Sequence, residues 1–392
     1  MAANVAAAST AYCSERVLRC VLSLGPKRLS CQGDDDSMLG VRTLILTALT
    51  VVSQPALTVA AEAPVKYLAT EAYTLRTQDG DASLPFDSSI DVKGIHPEIT
   101  RAAIVFHGKG RNVKGYFEAL ESAAQQAGTT GSHTLLWAPQ FLREEDVEAH
   151  RLPSKFLRWH SGSWSAGEPA VGPLRISTFD VMDALLRDLS NRTQFPNLTT
   201  VVLIGHSGGG QLLNRYAIVG REPALLVAAG IAVRFVIANP SSYFYFSDDR
   251  PQPDGSFAPF RSASCANFNH WRYGAIDAPP YVTDGSAAAW QQRESAYVKA
   301  DVIYLLGADD TDPAQQDLDV SCAGEAEGAE RLDRGKGYFR YLAARHPTDL
   351  NHQLWFVPGV AHVGSRMVES PCAIAAVFDS GVCTTQGPRE VR

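Results

Sequence analysis

Thr200-Val201-Val202-Leu203-Ile204-Gly205-His206-Ser207-Gly208-Gly209 is the stretch on which the reading of this chain turns. Residues 200–204 are an apolar, β-branched run of the kind that makes a strand covered on both faces. The glycines that follow admit a tight turn, and Gly210-Gln211-Leu212-Leu213-Asn214-Arg215-Tyr216 then takes up helical spacing. The pentapeptide Gly205-His206-Ser207-Gly208-Gly209 has the form G-x-S-x-G. A serine on such a strand-to-helix turn is held in a strained conformation that lifts its hydroxyl above the sheet. The flanking glycines are needed because a Cβ there would collide with the neighbouring strand and helix. The bare pentapeptide recurs by accident; its place between an apolar strand and an amphipathic helix makes Ser207 a candidate nucleophile.

Working outward, the same grammar of strand, turn and helix repeats. Apolar runs bounded by Gly, Pro or Asn occur at 102–106, 134–137, 200–204, 234–238, 302–306 and 353–357. Helical periodicity separates them, clearest at 116–126, 178–189 and 211–219. Continuous apolar runs imply burial on both sides, so the expected fold is α/β with a mostly parallel central sheet flanked by helices on both faces. Two alternating segments, 72–78 and 89–94, are expected to supply an antiparallel edge. No repeat or low-complexity linker divides 64–392, which reads as one domain. The rhythm breaks at about 241–300, a stretch rich in proline and aromatics that includes Tyr243, Phe244, Tyr245 and Trp290. An excursion that long is expected to be a lid or cap insertion. The stretch 324–341 reads as an exposed helix and turn.

Two further segments complete a constellation. Ile104-Val105-Phe106 runs into His107-Gly108-Lys109-Gly110, about a hundred residues before the serine. Gly115 falls two residues late for a dinucleotide-binding G-x-G-x-x-G loop, so that reading is weak. With G-x-S-x-G and H-G-x-G each following a strand, the chain resembles the α/β-hydrolase superfamily over 64–392. The resemblance implies an oxyanion hole built from the backbone N–H groups of Lys109 and Gly208. It implies a triad in the chain order serine, acid, histidine. The strand at 302–306 leads to Ala308-Asp309-Asp310-Thr311-Asp312-Pro313, where the family spacing selects Asp310, with Asp309 a close competitor and Asp312 a distant one. The last strand leads to Pro358-Gly359-Val360-Ala361-His362, the position of the family's histidine, whereas His352 precedes that strand. His206 and Gln211 are expected to line the acyl pocket, with Trp159 and the Tyr243 region adding an aromatic, mostly uncharged wall. No metal-ligand signature appears, and neither metal nor cofactor is required. The acidic run between Asp309 and Asp319 reads as a solvated loop.

Composition bounds the rest. The chain has 392 residues, 45% of them hydrophobic, enough for a large core. Against 42 acidic residues stand 35 Lys and Arg, a formal net charge of -7, and no basic block interleaved with aromatics, so nucleic acid is not an expected partner. Residues 44–52 form a short apolar run after Arg42, followed by small residues. This reads as a signal peptide over 38–63, with 1–37 an atypical leader and no stable membrane insertion after cleavage. Of seven cysteines, Cys265, Cys322, Cys372 and Cys383 fall in the mature part. Three pairings are possible; a short loop from Cys372 to Cys383 would leave Cys265 with Cys322. The expectation is a secreted or periplasmic serine hydrolase acting on small or polymeric carboxylic esters. The alternatives are an amidase or peptidase with the same triad, and a catalytically silent fold used for binding.

Overall fold

The structure, a computed structural model, describes residues 63–385. The expected leader and, apart from Ala63, the signal segment lie outside the described residues. Eight strands form the central sheet: β1 (Glu71–Thr77), β2 (Gly80–Ser88), β3 (Arg101–Phe106), β4 (Thr134–Pro139), β5 (Thr200–His206), β6 (Ala232–Ala238), β7 (Asp301–Gly307) and β8 (His352–Val357). Their order is β1-β2-β4-β3-β5-β6-β7-β8. From β4 through β8 every pairing is parallel, while β1 with β2 and β2 with β4 are antiparallel.

Side-chain alternation along these strands explains why the apolar runs are continuous. Ala102, Ile104, Val201, Leu203, Phe235 and Tyr304 belong to one buried cluster. Their neighbours Ala103, Val105, Val202, Ile204, Val236 and Ile303 belong to a second. The first cluster takes in side chains of α2 (Thr178–Leu189), α3 (Gly208–Val219), α4 (Ala287–Tyr297) and α5 (Arg331–Arg345). The second takes in α1 (Val113–Gln126) and α6 (Pro371–Phe378). Each fully buried Leu, Ile or Phe contributes roughly 1.5–3 kcal/mol, so covering both faces anchors the strands whose ends carry the site. Local signals set the helix starts. Ser177 caps α2 by accepting from the Phe179 N–H while Asp180 accepts from the Ser177 N–H.

Two expectations change here. The segment 89–94 is not a strand; the antiparallel edge is β1 turned back on β2 through Gln78 and Asp79, with Gly80 at φ 128°. Pro85 hides β2 from a reading by pattern, yet Ala82, Leu84 and Phe86 alternate into the core. The ladder to β4 begins only at Phe86, so no rung to it is lost at the proline. The stretch 324–341 is not an exposed helix either. It holds most of α5, whose Arg331 and Arg334 are fully buried.

The aromatic residues that open the expected lid stretch lie in the core. Tyr243, Phe244 and Tyr245 are 0% exposed, and Phe244 stacks on Trp290 with ring centroids 5.1 Å apart. Rings placed just after β6 still run over the sheet face, where burial is worth more than exposure at a rim. Disulfides join Cys265 to Cys322 and Cys372 to Cys383, the pairing entertained from the sequence. By loop-closure entropy these constrain the unfolded chain by about 4 and about 3 kcal/mol for separations of 57 and 11 residues. Among the described residues no helix is long and apolar enough to cross a membrane.

Candidate active site

Ser207 sits between β5 and α3 at φ 58°, a positive value that a non-glycine residue adopts only under constraint. Its N–H is tied to the Ala238 carbonyl at 2.9 Å. A Cβ on Gly205 would lie 2.4 Å from the Gly209 carbonyl oxygen, and one on Gly209 would lie 2.3 Å from the Phe106 oxygen. The turn closes this tightly only because both positions lack a side chain.

Strands bring the other groups to the same edge. Asp310 lies three residues past β7 and His362 five past β8, both at carboxyl ends of parallel strands. Nε2 of His362 is 2.9 Å from Oγ of Ser207, and Nδ1 is 2.7 Å from Oδ2 of Asp310. A carboxylate only accepts, so Nδ1 carries the proton and Nε2 is left as acceptor for the serine hydroxyl. Asp309 is exposed and has no hydrogen-bond or ion-pair contact with His362, and His352 is buried at the start of β8, bonded to the Tyr297 carbonyl.

Asp310 is 3% exposed and well supplied with partners. Nδ2 of Asn239 donates to its Oδ2 at 2.7 Å, while Oδ1 of the same asparagine accepts from the Gly307 N–H at 2.8 Å. Asn239 follows β6 directly and has φ 43°. Arg331, at the start of α5, places Nη1 3.7 Å from Oδ1 of Asp310 and gives Nε to Oγ of Ser241 at 3.0 Å. Reading the sequence found neither residue. Asn before Pro240 at a strand end was the only available signal for the first, and nothing local marks the second.

The turn 107–110 packs against the serine. A Cβ on Gly108 would lie 3.5 Å from Cβ of Ser207, and one on Gly208 would lie 3.2 Å from the Lys109 nitrogen, so the two expected oxyanion residues are neighbours beside Ser207. His107 fixes that turn as a neutral imidazole: Nδ1 bonds the Gly108 carbonyl at 2.9 Å and Nε2 accepts from the Phe141 N–H at 3.0 Å. Burial pulls its pKa down to about 4.

Ser207 opens on two cavities. One, of about 350 Å³, is lined by Tyr116, His206, His362 and Gly364 among others. The second, of about 310 Å³, is lined by Lys109, Trp164, Gly208, Gln211, Arg272 and Asp319 among others, and His362 does not border it. His206 borders the first; burial holds it well below the ordinary histidine range, its Nδ1 bonds the Tyr116 hydroxyl at 2.8 Å, and its ring lies 4.6 Å from that of His362. Trp159 and Tyr243 line neither cavity. Trp159 is 1% exposed and turns its indole N–H to the Glu168 carbonyl, and Tyr243 stacks on Tyr338 at 4.6 Å within the core. Trp164 is the indole at the serine, 4.8 Å from the His107 ring. The expected aromatic, uncharged wall is therefore replaced by a polar one. Its acidic members are paired, Asp317 with Lys109 at 3.3 Å and Asp319 with Arg272 at 2.9 Å.

No protein-family model and no curated protein sequence matches the chain. Solved structures do. Poly(aspartic acid) hydrolase-1 from Sphingomonas sp. KT-1 aligns with a TM-score of 0.53 at 21% identity, covering 79% of this chain and 100% of that one. LpqC, a poly(3-hydroxybutyrate) depolymerase from Bordetella parapertussis, aligns with a TM-score of 0.52 at 21% identity, covering 80% and 91%. These likenesses, together with the strand order and the turn after β5, give the chain the α/β-hydrolase fold.

Proposed function

We propose that the chain is a serine hydrolase that cleaves carboxylic esters through an acyl-enzyme formed on Ser207. The observation that carries the reading is the unbroken hydrogen-bonded line from Ser207 through His362 to Asp310. His362 takes the hydroxyl proton as Oγ attacks the ester carbonyl. Asp310 holds the imidazole tautomer and stabilises the imidazolium. The N–H groups of Lys109 and Gly208 receive the developing oxyanion, and each such donor is worth about 3 kcal/mol in a site closed to water. His362 then returns the proton to the leaving oxygen, and water attacks the acyl-enzyme by the same route.

The substrate is a small or polymeric ester, and the names of the two structural neighbours, both hydrolases of polymers, favour including polymers. Poly(aspartic acid) is a polyamide, so the first neighbour keeps an amidase reading alongside. Export belongs to the same proposal: the signal reading of 38–63 fits two disulfides, which persist in oxidising compartments. A fluorophosphonate is expected to label Ser207 and to leave a folded Ser207→Ala chain unlabelled. Wild-type protein that is folded yet neither labelled nor active on p-nitrophenyl esters would return the chain to the silent-fold alternative. Turnover of an anilide as fast as the matching ester would favour the amidase.

A further inference from the structure

The position of His362 sorts the two cavities at Ser207. On the reading just proposed, His362 must hand its proton to the leaving oxygen, so the leaving group occupies the cavity that His362 borders. The acyl chain is left with the other, the cavity of about 310 Å³ that carries Lys109, Gly208 and Ser207 on its wall.

On that wall Gln211 and Arg272 each keep a hydrogen-bond donor with no partner among the described residues, beside the paired carboxylates of Asp317 and Asp319. Gln211 lies one turn beyond the serine on α3, its N–H bonded to the Ser207 carbonyl at 2.9 Å, and is only 9% exposed. Its amide orientation is set by a chain of bonds. Arg215 donates Nη2 to the Ser242 hydroxyl at 3.0 Å, and that hydroxyl donates to Oε1 of Gln211 at 3.3 Å. Nε2 of Gln211 then has no acceptor among the described residues. Arg272 spends Nη2 on Asp319 and on the Tyr273 hydroxyl, and Nε on that hydroxyl as well. Its Nη1 likewise finds no acceptor among the described residues. The charges on this wall are balanced, Arg272 by Asp319 and Lys109 by Asp317.

Donors in a balanced field want a neutral oxygen. A plain alkyl chain in this cavity would strip water from Nε2 and Nη1 and return nothing, the situation in which an unpaired donor costs most. A carboxylate would bring an uncompensated charge against Asp317 and Asp319. A carbonyl further along the acyl chain would satisfy the donors at no charge cost. We infer that Gln211 and Arg272 select acyl groups bearing a second, neutral carbonyl oxygen beyond the scissile one, in preference to plain alkanoyl groups. This selection rests on the serine-hydrolase reading.

The test compares kcat/KM for p-nitrophenyl hexanoate and for p-nitrophenyl methyl succinate, whose acyl chains have equal length and differ in the second ester group. A preference of tenfold or more for the succinate is expected. Gln211→Leu and Arg272→Met are each expected to bring the ratio towards one, with fluorophosphonate labelling of Ser207 reporting that the variant site is intact. Equal or faster turnover of the hexanoate by the wild-type protein overturns the inference, as does an unchanged ratio in both variants with labelling retained. If a variant loses its labelling, the wild-type ratio alone decides. Failure of the underlying reading looks different: neither ester is cleaved and Ser207 stays unlabelled, which overturns both.

Discussion

At the scale of single residues, the site depends on groups whose partners leave little freedom. Ser207→Ala and His362→Ala are expected to lower kcat by roughly 10⁴-fold or more with the fold retained, since the nucleophile and its base act as one unit. Asp310→Asn should cost about 10⁴-fold, because an amide at this position favours the wrong imidazole tautomer, while Asp309→Asn should change the rate little. Steady-state kinetics of the four variants side by side checks this, and a larger loss at Asp309 would reverse the assignment. Asn239 is a positioning residue that grips both Oδ2 of Asp310 and the Gly307 N–H. Asn239→Ala should lower kcat by roughly tenfold, the worth of one hydrogen bond to a charged group, with KM nearly constant. Asn239→Asp, which keeps the shape but sets a second carboxylate against Asp310, should be worse than alanine. Ser207 was legible from its strand-to-helix turn, and Asp310 and His362 only through the positions that the resemblance to the α/β-hydrolase superfamily implies after later apolar runs. Asn239 and Arg331 were not, since a side chain that supports another from a distant strand or helix has no spacing rule to betray it.

Elements set the next scale. The turn from β5 to α3 is as tight as its backbone allows, so Gly209→Ala, which would put a methyl 2.3 Å from the Phe106 oxygen, should destabilise the protein by about 3 kcal/mol or push it out of the soluble fraction. Denaturant unfolding measures the difference; a neutral variant would mean the turn has room. The six apolar strands and three clear helices were readable from period and punctuation alone. The hairpin was half readable: β1 alternates, but Pro85 and the polar members of β2 disguise a strand that is secured by its neighbours rather than by its own composition. Helix α5 was misjudged for a related reason. Arg334 is buried because the carbonyls of Ser241, Gly328 and Asp319 accept its guanidinium N–H groups, and those acceptors come from other loops.

For the whole molecule, buried titratable groups pull stability in opposite directions with pH. Burial brings His107 and His352 down to about 4 and holds His206 below 6.5. The unfolded chain therefore takes up protons below pH 6.5 that the folded chain refuses, and stability is lost as the pH falls from 6.5 towards 4. Burial raises Glu327 to about 8, against the opposing pull of Arg250 and Arg334. Here the folded chain keeps a proton that the unfolded one has released, so this contribution is complete below pH 4.5 and is lost as the pH rises towards 8. The three imidazoles act only below pH 6.5, and between 6.5 and 8 the titration of Glu327 carries the decline. Maximum stability is expected near pH 6.5, read from denaturant midpoints across pH 4–9. Glu327→Gln should abolish the decline on the alkaline side, and a decline that persists in this variant would place its origin elsewhere.

The sequence by itself determined the order and kind of most elements and the strained serine turn, while the chain order of hydroxyl, carboxyl and imidazole came from the resemblance to the α/β-hydrolase superfamily and the disulfide pairing was one of three that stood open. The elements and the serine turn are written in neighbours a few residues apart, where backbone geometry and side-chain period act directly. Only the tertiary structure decided that Tyr243, Phe244 and Tyr245 after β6 are core, that Trp164 and not Trp159 lies by the serine, and that the cavity beside Gln211 and Arg272 is polar. Whether a ring is buried or an arginine is paired depends on what residues far along the chain present to it, and that is settled only when the strands have brought them together.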